Sequence, residues 1–179
     1  MSHTLKDLLA QGAADAPAIS APGRAPLRHG ALRDLIVQTL AALNGWGIAR
    51  NDRVAIVLPN GPEMATCYMA CASGVTSAPL NPAYRADEFE FYLSDLHAKA
   101  LIVERGSRSP AVDVARRLGV RLIELVAGEA AGSFTLHDDS GAVVASAAVQ
   151  GGFAQPDDVS MVLHTSGTTS RPKIVPLSQ

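Results

Sequence analysis

A short stretch of hydroxyl side chains, with one glycine and one lysine, carries the clearest chemical potential in the chain. It reads "HTSGTTSRPK", from His164 to Lys173. Hydroxyls and backbone N–H groups donate hydrogen bonds without carrying charge, a glycine permits close approach of the backbone, and an ammonium group adds one positive charge. This combination predicts binding of phosphate groups. The candidate binding residues are Thr165, Ser166, Gly167, Thr168, Thr169, Ser170 and Lys173.

Two other interpretations of this stretch follow from composition and spacing. A cluster of Ser, Thr and Gly on its own is most often a solvated turn. The stretch is also not a Walker A motif, because Pro172 stands where that motif needs glycine and Ile174 stands where it needs Ser or Thr. The spacing therefore disfavours a kinase-type P-loop protein.

Alternating apolar strands and amphipathic helices are predicted upstream of the stretch. The spacing of apolar residues predicts helices at 31–46, 63–73, 87–96 and 109–119, and strands at 54–58, 74–82, 99–104, 120–126 and 159–163. The run from Val54 to Leu58 is apolar without alternation, which indicates a strand covered on both faces. We therefore predict an α/β fold, a doubly wound and mostly parallel sheet with flanking helices.

The predicted domain organisation has three parts. Residues 1–126 form the α/β layer, and residues 127–156 form a loop-rich excursion with one short hairpin around residues 139–141. Residues 157–179 supply a strand and the candidate phosphate-binding loop. Asp157 and Asp158 are interpreted as a turn before that strand.

Composition excludes several classes of function. With a net charge of -2 and a pI near 6.2, the chain has no general attraction for nucleic acid or anionic lipid. Its apolar runs are shorter than a membrane span of roughly 20 residues, and no signal peptide is indicated, so a cytoplasmic location is expected. The histidines are scattered, and Cys67 and Cys71 lack further ligands, so no metal site is predicted and both cysteines are interpreted as small buried hydrophobes.

Other side chains near the candidate loop have structural interpretations. The acidic residues Asp87, Glu88 and Glu90 are interpreted as the solvated first turns of a helix. Tyr84 and Arg85 could help to order the loop, but a packing role is favoured for both. For His164, a satisfied histidine at a strand end is favoured over a catalytic one, and a positioning role at the site is the remaining alternative.

The stretch "HTSGTTSRPKIVPLS" resembles the phosphate-binding signature of the adenylate-forming enzymes, which include acyl-CoA synthetases, peptide-synthetase adenylation domains and luciferases. The upstream segments "NDRVAIVLPNGPEM" and "GVTSAPLNPAYRADEFEFYLSDLHAKALIVE" are similar to the opening half of acyl- and aryl-CoA ligases. Two positions depart from the family pattern, because Ser170 and Ile174 replace glycines. Ser170 with Arg171 resembles the oxalyl-CoA synthetase branch, and a β-branched Ile174 would be strained if its backbone required positive φ.

The resemblance implies a two-step ligation. A substrate carboxylate attacks the α-phosphate of Mg-ATP, pyrophosphate leaves, and the thiol of coenzyme A then takes the acyl group. The loop from Thr165 to Lys173 would hold the β- and γ-phosphates. The implied cofactors are ATP, Mg²⁺ and coenzyme A, and the implied partner is a small-molecule carboxylate.

The resemblance also implies that the remaining functional motifs lie later in such enzymes than this loop. We therefore expect the 179 residues to be an inactive N-terminal portion of an acyl-CoA synthetase, without catalytic or metal-binding residues of its own, whose further partner is the missing remainder of the same chain. A natural remnant is the alternative origin. The alternative functions are a non-catalytic nucleotide-binding or interaction module and an unrelated phosphate-binding α/β domain.

Overall fold

The structure, a computed structural model, describes residues 4–139, 150–165 and 172–179. Its helices are α1 (Leu5–Leu9), α2 (His29–Gly45), α3 (Pro62–Ala72), α4 (Ala86–Asp95) and α5 (Pro110–Leu118). Its strands are β1 (Pro17–Ile19), β2 (Leu27–Arg28), β3 (Arg53–Val57), β4 (Thr76–Pro79), β5 (Ala100–Glu104), β6 (Arg121–Ala127), β7 (Phe134–Asp138), β8 (Val159–Thr165) and β9 (Lys173–Ser178). Among the helices of these ranges, none has both the length and the apolar character to cross a membrane.

One mixed sheet organises the molecule. Its strand order is β7-β6-β5-β3-β4-β8-β9. The five strands from β6 to β8 in this order run parallel to their neighbours, whereas β7 and β9 pair antiparallel at the two edges. The carboxyl ends of the parallel strands therefore meet at a single edge of the sheet.

Helices cover both faces of this sheet. Along β3, Val54 and Ile56 belong to one apolar cluster, which α2 and α3 complete. Ala55 and Val57 point to the other face and belong to a second cluster, which α4 and α5 complete. The unbroken apolar run in the sequence reflects this two-sided burial, and the predicted doubly wound α/β fold is confirmed.

The termini of α5 illustrate why the predicted helices form where they do. The Ser109 hydroxyl accepts a hydrogen bond from the backbone N–H of Ala111 at 3.2 Å, and Pro110 occupies the first helical turn. Gly119 ends the helix with φ of 69°, in the left-handed region that favours glycine. Both signals are readable in the sequence, and the helix lies inside the predicted range.

The segment after β6 differs in detail from the sequence-based prediction. Phe134–Asp138 forms β7 and returns antiparallel to β6, so the chain turns through residues 128–133. Gly132 has φ of 81° in this turn, and an added Cβ would lie 2.8 Å from Cγ2 of Thr66. Of the hairpin predicted around residues 139–141, only Asp139 lies within the described residues.

The two cysteines lie inside the core. Cys67 and Cys71 have no exposed surface, and both belong to the cluster under α2 and α3. The pKa of the Cys67 thiol is raised well above its usual value by the hydrogen bond to Cys71 and by burial. The thiol therefore stays protonated and packs as a small hydrophobe, as predicted.

Candidate functional site

The candidate phosphate-binding stretch connects the antiparallel strands β8 and β9. Thr165 ends β8, Lys173 begins β9, and their Cα atoms are paired across the two strands. The predicted binding residues Ser166, Gly167, Thr168, Thr169 and Ser170 lie outside the described residues. The structure therefore places the two ends of the loop next to each other, with Thr165 directly opposite Lys173.

This loop leaves the sheet at the edge where the parallel strands end. β8 runs parallel to β4, with Ser77 paired to Met161, and β4 runs parallel to β3. The loops that follow β3, β4 and β5 lie at the same edge. Ligands of open α/β sheets bind outside the carboxyl ends of the strands, where the connections turn to opposite faces.

Thr165 and Lys173 both have exposed side chains. Residues directly opposite each other on antiparallel strands share one face of the sheet, so the Thr165 hydroxyl and the Lys173 ammonium project to the same side. One neutral donor and one cation thus stand together at the mouth of the loop. An arrangement of this kind can receive a phosphate group.

Ile174 fits the strand in which it lies. It is the second residue of β9, and it packs against the apolar cluster on the face of α4. Among the described residues, positive φ occurs outside glycine at Asn51 and His97 and not at Ile174. The strain considered for a β-branched residue at this position is therefore absent, because an extended backbone suits isoleucine.

His164 packs against α4 beneath the loop. Its Nε2 atom lies 3.0 Å from Oδ2 of Asp95, and 6% of its side chain is exposed. The ring stands edge-on to Tyr92, with centroids 4.7 Å apart. The interpretation of His164 as a hydrogen-bonded histidine at a strand end agrees with this geometry.

An aromatic row links this histidine to the loop after β4. Tyr84 stacks on Tyr92 with centroids 4.8 Å apart and planes at 16°. Burial, followed by the hydrogen bond to Tyr92, raises the pKa of Tyr84 to about 12, so its phenol stays protonated at neutral pH. Tyr84 therefore packs, as the sequence analysis favours, and it connects the β4 loop to α4.

The start of β8 is fastened by a polar cluster near the amino ends of the strands. The Asn51 amide donates to Oδ1 of Asp158 at 2.7 Å, and Oδ1 of Asn51 accepts from the backbone N–H of Val159 at 2.8 Å. Arg50 forms an ion pair with Asp158 at 3.1 Å. Asp158 thus does more than form the turn that its sequence context predicts.

The acidic residues near α4 serve that helix. Oε2 of Glu88 accepts a hydrogen bond from the backbone N–H of Arg85 at 2.9 Å, and Glu90 pairs with Arg117 at 2.8 Å. Asp87 lies in the first turn, where a negative charge is favourable. Within residues 4–139, 150–165 and 172–179, no group of three or more His, Cys, Asp or Glu side chains could hold a metal ion.

Sequence reasoning missed the surroundings of the loop. Asp95 and Tyr92 precede His164 by about seventy positions, and they meet it only because β8 inserts beside β4. From the sequence, no prediction is made for β9, whose segment "KIVPLS" includes Pro176, a residue that strands tolerate mainly at sheet edges. The proline is tolerated at the sheet edge, where β9 lies.

Comparison with known proteins places this geometry in a family. The AMP-binding enzyme family matches residues 8–179. An oxalate–CoA ligase from Arabidopsis thaliana is 40% identical over 184 residues, which cover 99% of this chain and 35% of the relative. A probable CoA ligase from Humulus lupulus is 37% identical and is matched over 98% of this chain and 34% of the relative.

Solved structures share the fold. Apo MatB from Rhodopseudomonas palustris superposes with a TM-score of 0.75 at 23% identity, over 99% of this chain and 35% of the other. An acyl-CoA synthetase from Brucella canis superposes with a TM-score of 0.74 at 23% identity, over 99% of this chain and 34% of the other. The chain spans about a third of the length of the two curated relatives from Arabidopsis thaliana and Humulus lupulus.

Proposed function

Because the chain belongs to the AMP-binding enzyme family, and its relatives in that family include CoA ligases, we propose that it is the N-terminal portion of an ATP-dependent acyl-CoA synthetase. The whole protein would join a carboxylate to coenzyme A through an acyl-adenylate. The segment of 179 residues would fold the first sheet of the enzyme and supply its phosphate-binding loop.

The observation that carries the proposal is the position of Thr165 opposite Lys173 at the carboxyl edge of the sheet. Both side chains are exposed and share a face. Thr165, Lys173 and the intervening Ser166, Gly167, Thr168, Thr169 and Ser170 would hold the β- and γ-phosphates of ATP. An ATP-bound structure of MatB from Rhodopseudomonas palustris has the same fold, with a TM-score of 0.74.

The chemistry asked of these residues is electrostatic. When the substrate carboxylate attacks the α-phosphate, negative charge grows on the oxygen that leaves with pyrophosphate. The Lys173 ammonium and the loop donors would stabilise that charge through charge-assisted hydrogen bonds. No general base is needed, because the attacking carboxylate is already ionised. Mg²⁺ would arrive with ATP, and we assign it no ligand among the described residues.

The acid that we propose as substrate is a small dicarboxylate, with oxalate first. Ser170, one of the two departures from the family pattern, and the adjacent Arg171 resemble the oxalyl-CoA synthetase branch. Relatives from Arabidopsis thaliana and Saccharomyces cerevisiae, at 40% and 34% identity, are both oxalate–CoA ligases. A two-carbon diacid carries a second negative charge, so its pocket must supply a cation in addition to the phosphate-binding lysine.

A second candidate function applies to a natural product of 179 residues. The chain matches 35% of the Arabidopsis thaliana enzyme, so a natural product of this size would lack most of such an enzyme. That product would be a non-catalytic nucleotide-binding or interaction module. Sequencing the gene beyond the codon for Gln179 separates the two, because a continuous reading frame supports the synthetase.

The experiment that tests the synthetase is carboxylate-dependent ATP–pyrophosphate exchange by the full-length protein. The panel would contain oxalate, malonate, succinate, a hydroxybenzoate and a long-chain fatty acid. We expect exchange to depend on one acid class, to be fastest with oxalate, and to be followed by thioester formation when coenzyme A is added. Absence of exchange with every acid would overturn the proposed synthetase activity.

A further inference from the structure

We propose that Asp95 and His164 act together as positioning residues that fix the base of the phosphate-binding loop. This inference rests on the proposed function, because it gives the pair a role in binding ATP. The two residues are far apart in sequence and meet in the structure between α4 and the end of β8. No other part of the proposed mechanism uses either side chain.

The hydrogen bond between them has a defined direction. Nε2 of His164 lies 3.0 Å from Oδ2 of Asp95. An ionised carboxylate only accepts hydrogen bonds, so Nε2 carries the proton and donates it. The exposed fraction is 6% for the histidine side chain and 39% for the aspartate side chain. Losing the carboxylate would thus leave a buried N–H group without this acceptor.

Aromatic rings hold the imidazole in its orientation. Tyr92 approaches edge-on with centroids 4.7 Å apart and planes at 67°, and Phe91 lies on the same helix with centroids 6.4 Å from the imidazole. Edge-to-face contacts at these separations are favourable for aromatic groups. Tyr92 also stacks on Tyr84, so the ring of His164 is connected to the loop that follows β4.

The position of the imidazole links it to both ends of the loop. His164 directly precedes Thr165, and its cross-strand partner Ile174 directly follows Lys173. Both His164 and Ile174 face α4, whereas Thr165 and Lys173 face the opposite side. A displacement of His164 would therefore move the backbone that aims the two candidate phosphate contacts. Small displacements of positioning groups cost large factors in affinity or rate.

A control pair exists on the same helix. Glu90 of α4 pairs with Arg117 of α5 at 2.8 Å. Both side chains of this pair are more than half exposed, and the pair has no contact with β8 or β9 among its described interactions. Glu90→Gln removes a charge from α4 without touching the base of the loop.

The test measures the KM for MgATP and kcat in ATP–pyrophosphate exchange by the full-length protein, together with Tm. The variants are Asp95→Ala, Asp95→Asn, His164→Phe and the double variant Asp95→Ala/His164→Phe. We expect each of Asp95→Ala and His164→Phe to raise the KM for MgATP about tenfold, while the KM for the carboxylate stays unchanged. The KM for MgATP of the double variant should be no higher than that of the more affected single variant, because both single substitutions remove the same interaction.

The conservative variant isolates the hydrogen bond from the charge. The amide oxygen of Asp95→Asn still accepts from Nε2, so this variant should stay within about twofold of the unsubstituted protein. Asp95 is partly exposed, so Asp95→Asn should fold even if His164→Phe does not. Glu90→Gln should leave every kinetic constant unchanged.

Three results would overturn the inference. The first is a lower Tm with an unchanged KM for MgATP in Asp95→Ala, which would mark a purely structural contact. The second is an equal rise of the KM for MgATP in Asp95→Asn and Asp95→Ala, which would exclude loss of the hydrogen bond as the cause. The third is absence of exchange by the unsubstituted protein with every acid, which would reject the proposed function itself and this inference with it.

Discussion

Lys173 is the cation that distinguishes a phosphate-binding loop from a solvated turn. It begins β9 with an exposed side chain, opposite Thr165. Ser and Thr hydroxyls alone do not distinguish the two interpretations, because clusters of these residues are most often solvated turns. Removal of the Lys173 ammonium group therefore distinguishes a phosphate-binding loop from a solvated turn.

We predict that Lys173→Ala in the full-length protein lowers kcat/KM for MgATP in ATP–pyrophosphate exchange by about 100-fold, because one donor to the developing charge is lost. Tm should not change, since the side chain is exposed. The matched control is Lys99→Ala, which removes a lysine that directly precedes β5, at the opposite edge of the sheet. A lower Tm with an unchanged exchange rate would contradict this assignment.

Ile174 shows how one departure from a family pattern is accommodated. Its backbone is extended and its side chain packs against the cluster on the face of α4. Isoleucine contributes packing and suits the pleated backbone of a strand. Glycine, the residue of the family pattern, would contribute neither.

We predict that Ile174→Gly lowers the free energy of unfolding by about 2 kcal/mol, from lost apolar burial and from the greater freedom of glycine in the unfolded chain. Ile174→Val keeps the branched shape and should cost about 1 kcal/mol or less. Urea unfolding measures both. A more stable Ile174→Gly variant would mean that the backbone at this position favours a conformation that isoleucine resists.

At the level of elements, β8 depends on side chains far away in the sequence. It follows a long excursion from the rest of the sheet, and Ser77 with Met161 is its described ladder pair to β4. Asn51, held at φ of 65°, bridges Asp158 and the backbone N–H of Val159. The Thr76 hydroxyl adds a hydrogen bond to the carbonyl of Val159 at 2.8 Å.

We predict that Asn51→Ala lowers the free energy of unfolding by about 2 kcal/mol. About half would come from the lost hydrogen bonds and about half from alanine at positive φ. Asn60→Ala, at an exposed turn residue, should cost less than about 0.5 kcal/mol. Chemical denaturation of both variants provides the measurement, and equal effects would show that the Asn51 bridge does not stabilise β8.

Elements with strong local signals were predictable, and contacts between distant elements were not. The caps of α5 and the apolar run of β3 lie in consecutive residues, so sequence spacing finds them. β9 and β7 are edge strands whose partially exposed residues weaken the apolar signal. The contact of His164 with Asp95 follows from the order of strands in the sheet, which local spacing does not specify.

The candidate site was predictable to a similar extent. The chemistry of the Ser/Thr/Gly/Lys stretch depends on side chains that are adjacent in sequence, so the candidate residues can be identified from the sequence. The contact between α4 and His164, at the base of the loop, depends on β8 lying beside β4. The bridge from Asn51 to Asp158 has no spacing signal, because the two residues lie more than a hundred positions apart.

For the whole molecule, the share of the relatives that this chain covers has a functional consequence. The chain matches 35% of the Arabidopsis thaliana oxalate–CoA ligase. We predict that residues 1–179 alone give no acid-dependent ATP–pyrophosphate exchange, whereas the full-length protein does. Both preparations would be assayed with the same acids at equal molar concentration. Exchange by the 179 residues alone would contradict the proposal that activity requires the full-length protein.

An apolar strip on β8 and β9 adds a second consequence at this scale. Leu163, Val175 and Leu177 lie on the face opposite to α4, and Leu163 and Leu177 are 38% and 43% exposed. Apolar surface of this kind beside an edge strand favours association.

We predict that residues 1–179 alone self-associate with increasing concentration in sedimentation experiments, and that Leu163→Ser/Leu177→Ser restores a monomer. Val37→Ser, at a residue 52% exposed on α2, should leave self-association unchanged. A monomer at every concentration, or equal rescue by Val37→Ser, would mean that the strip is not an association surface.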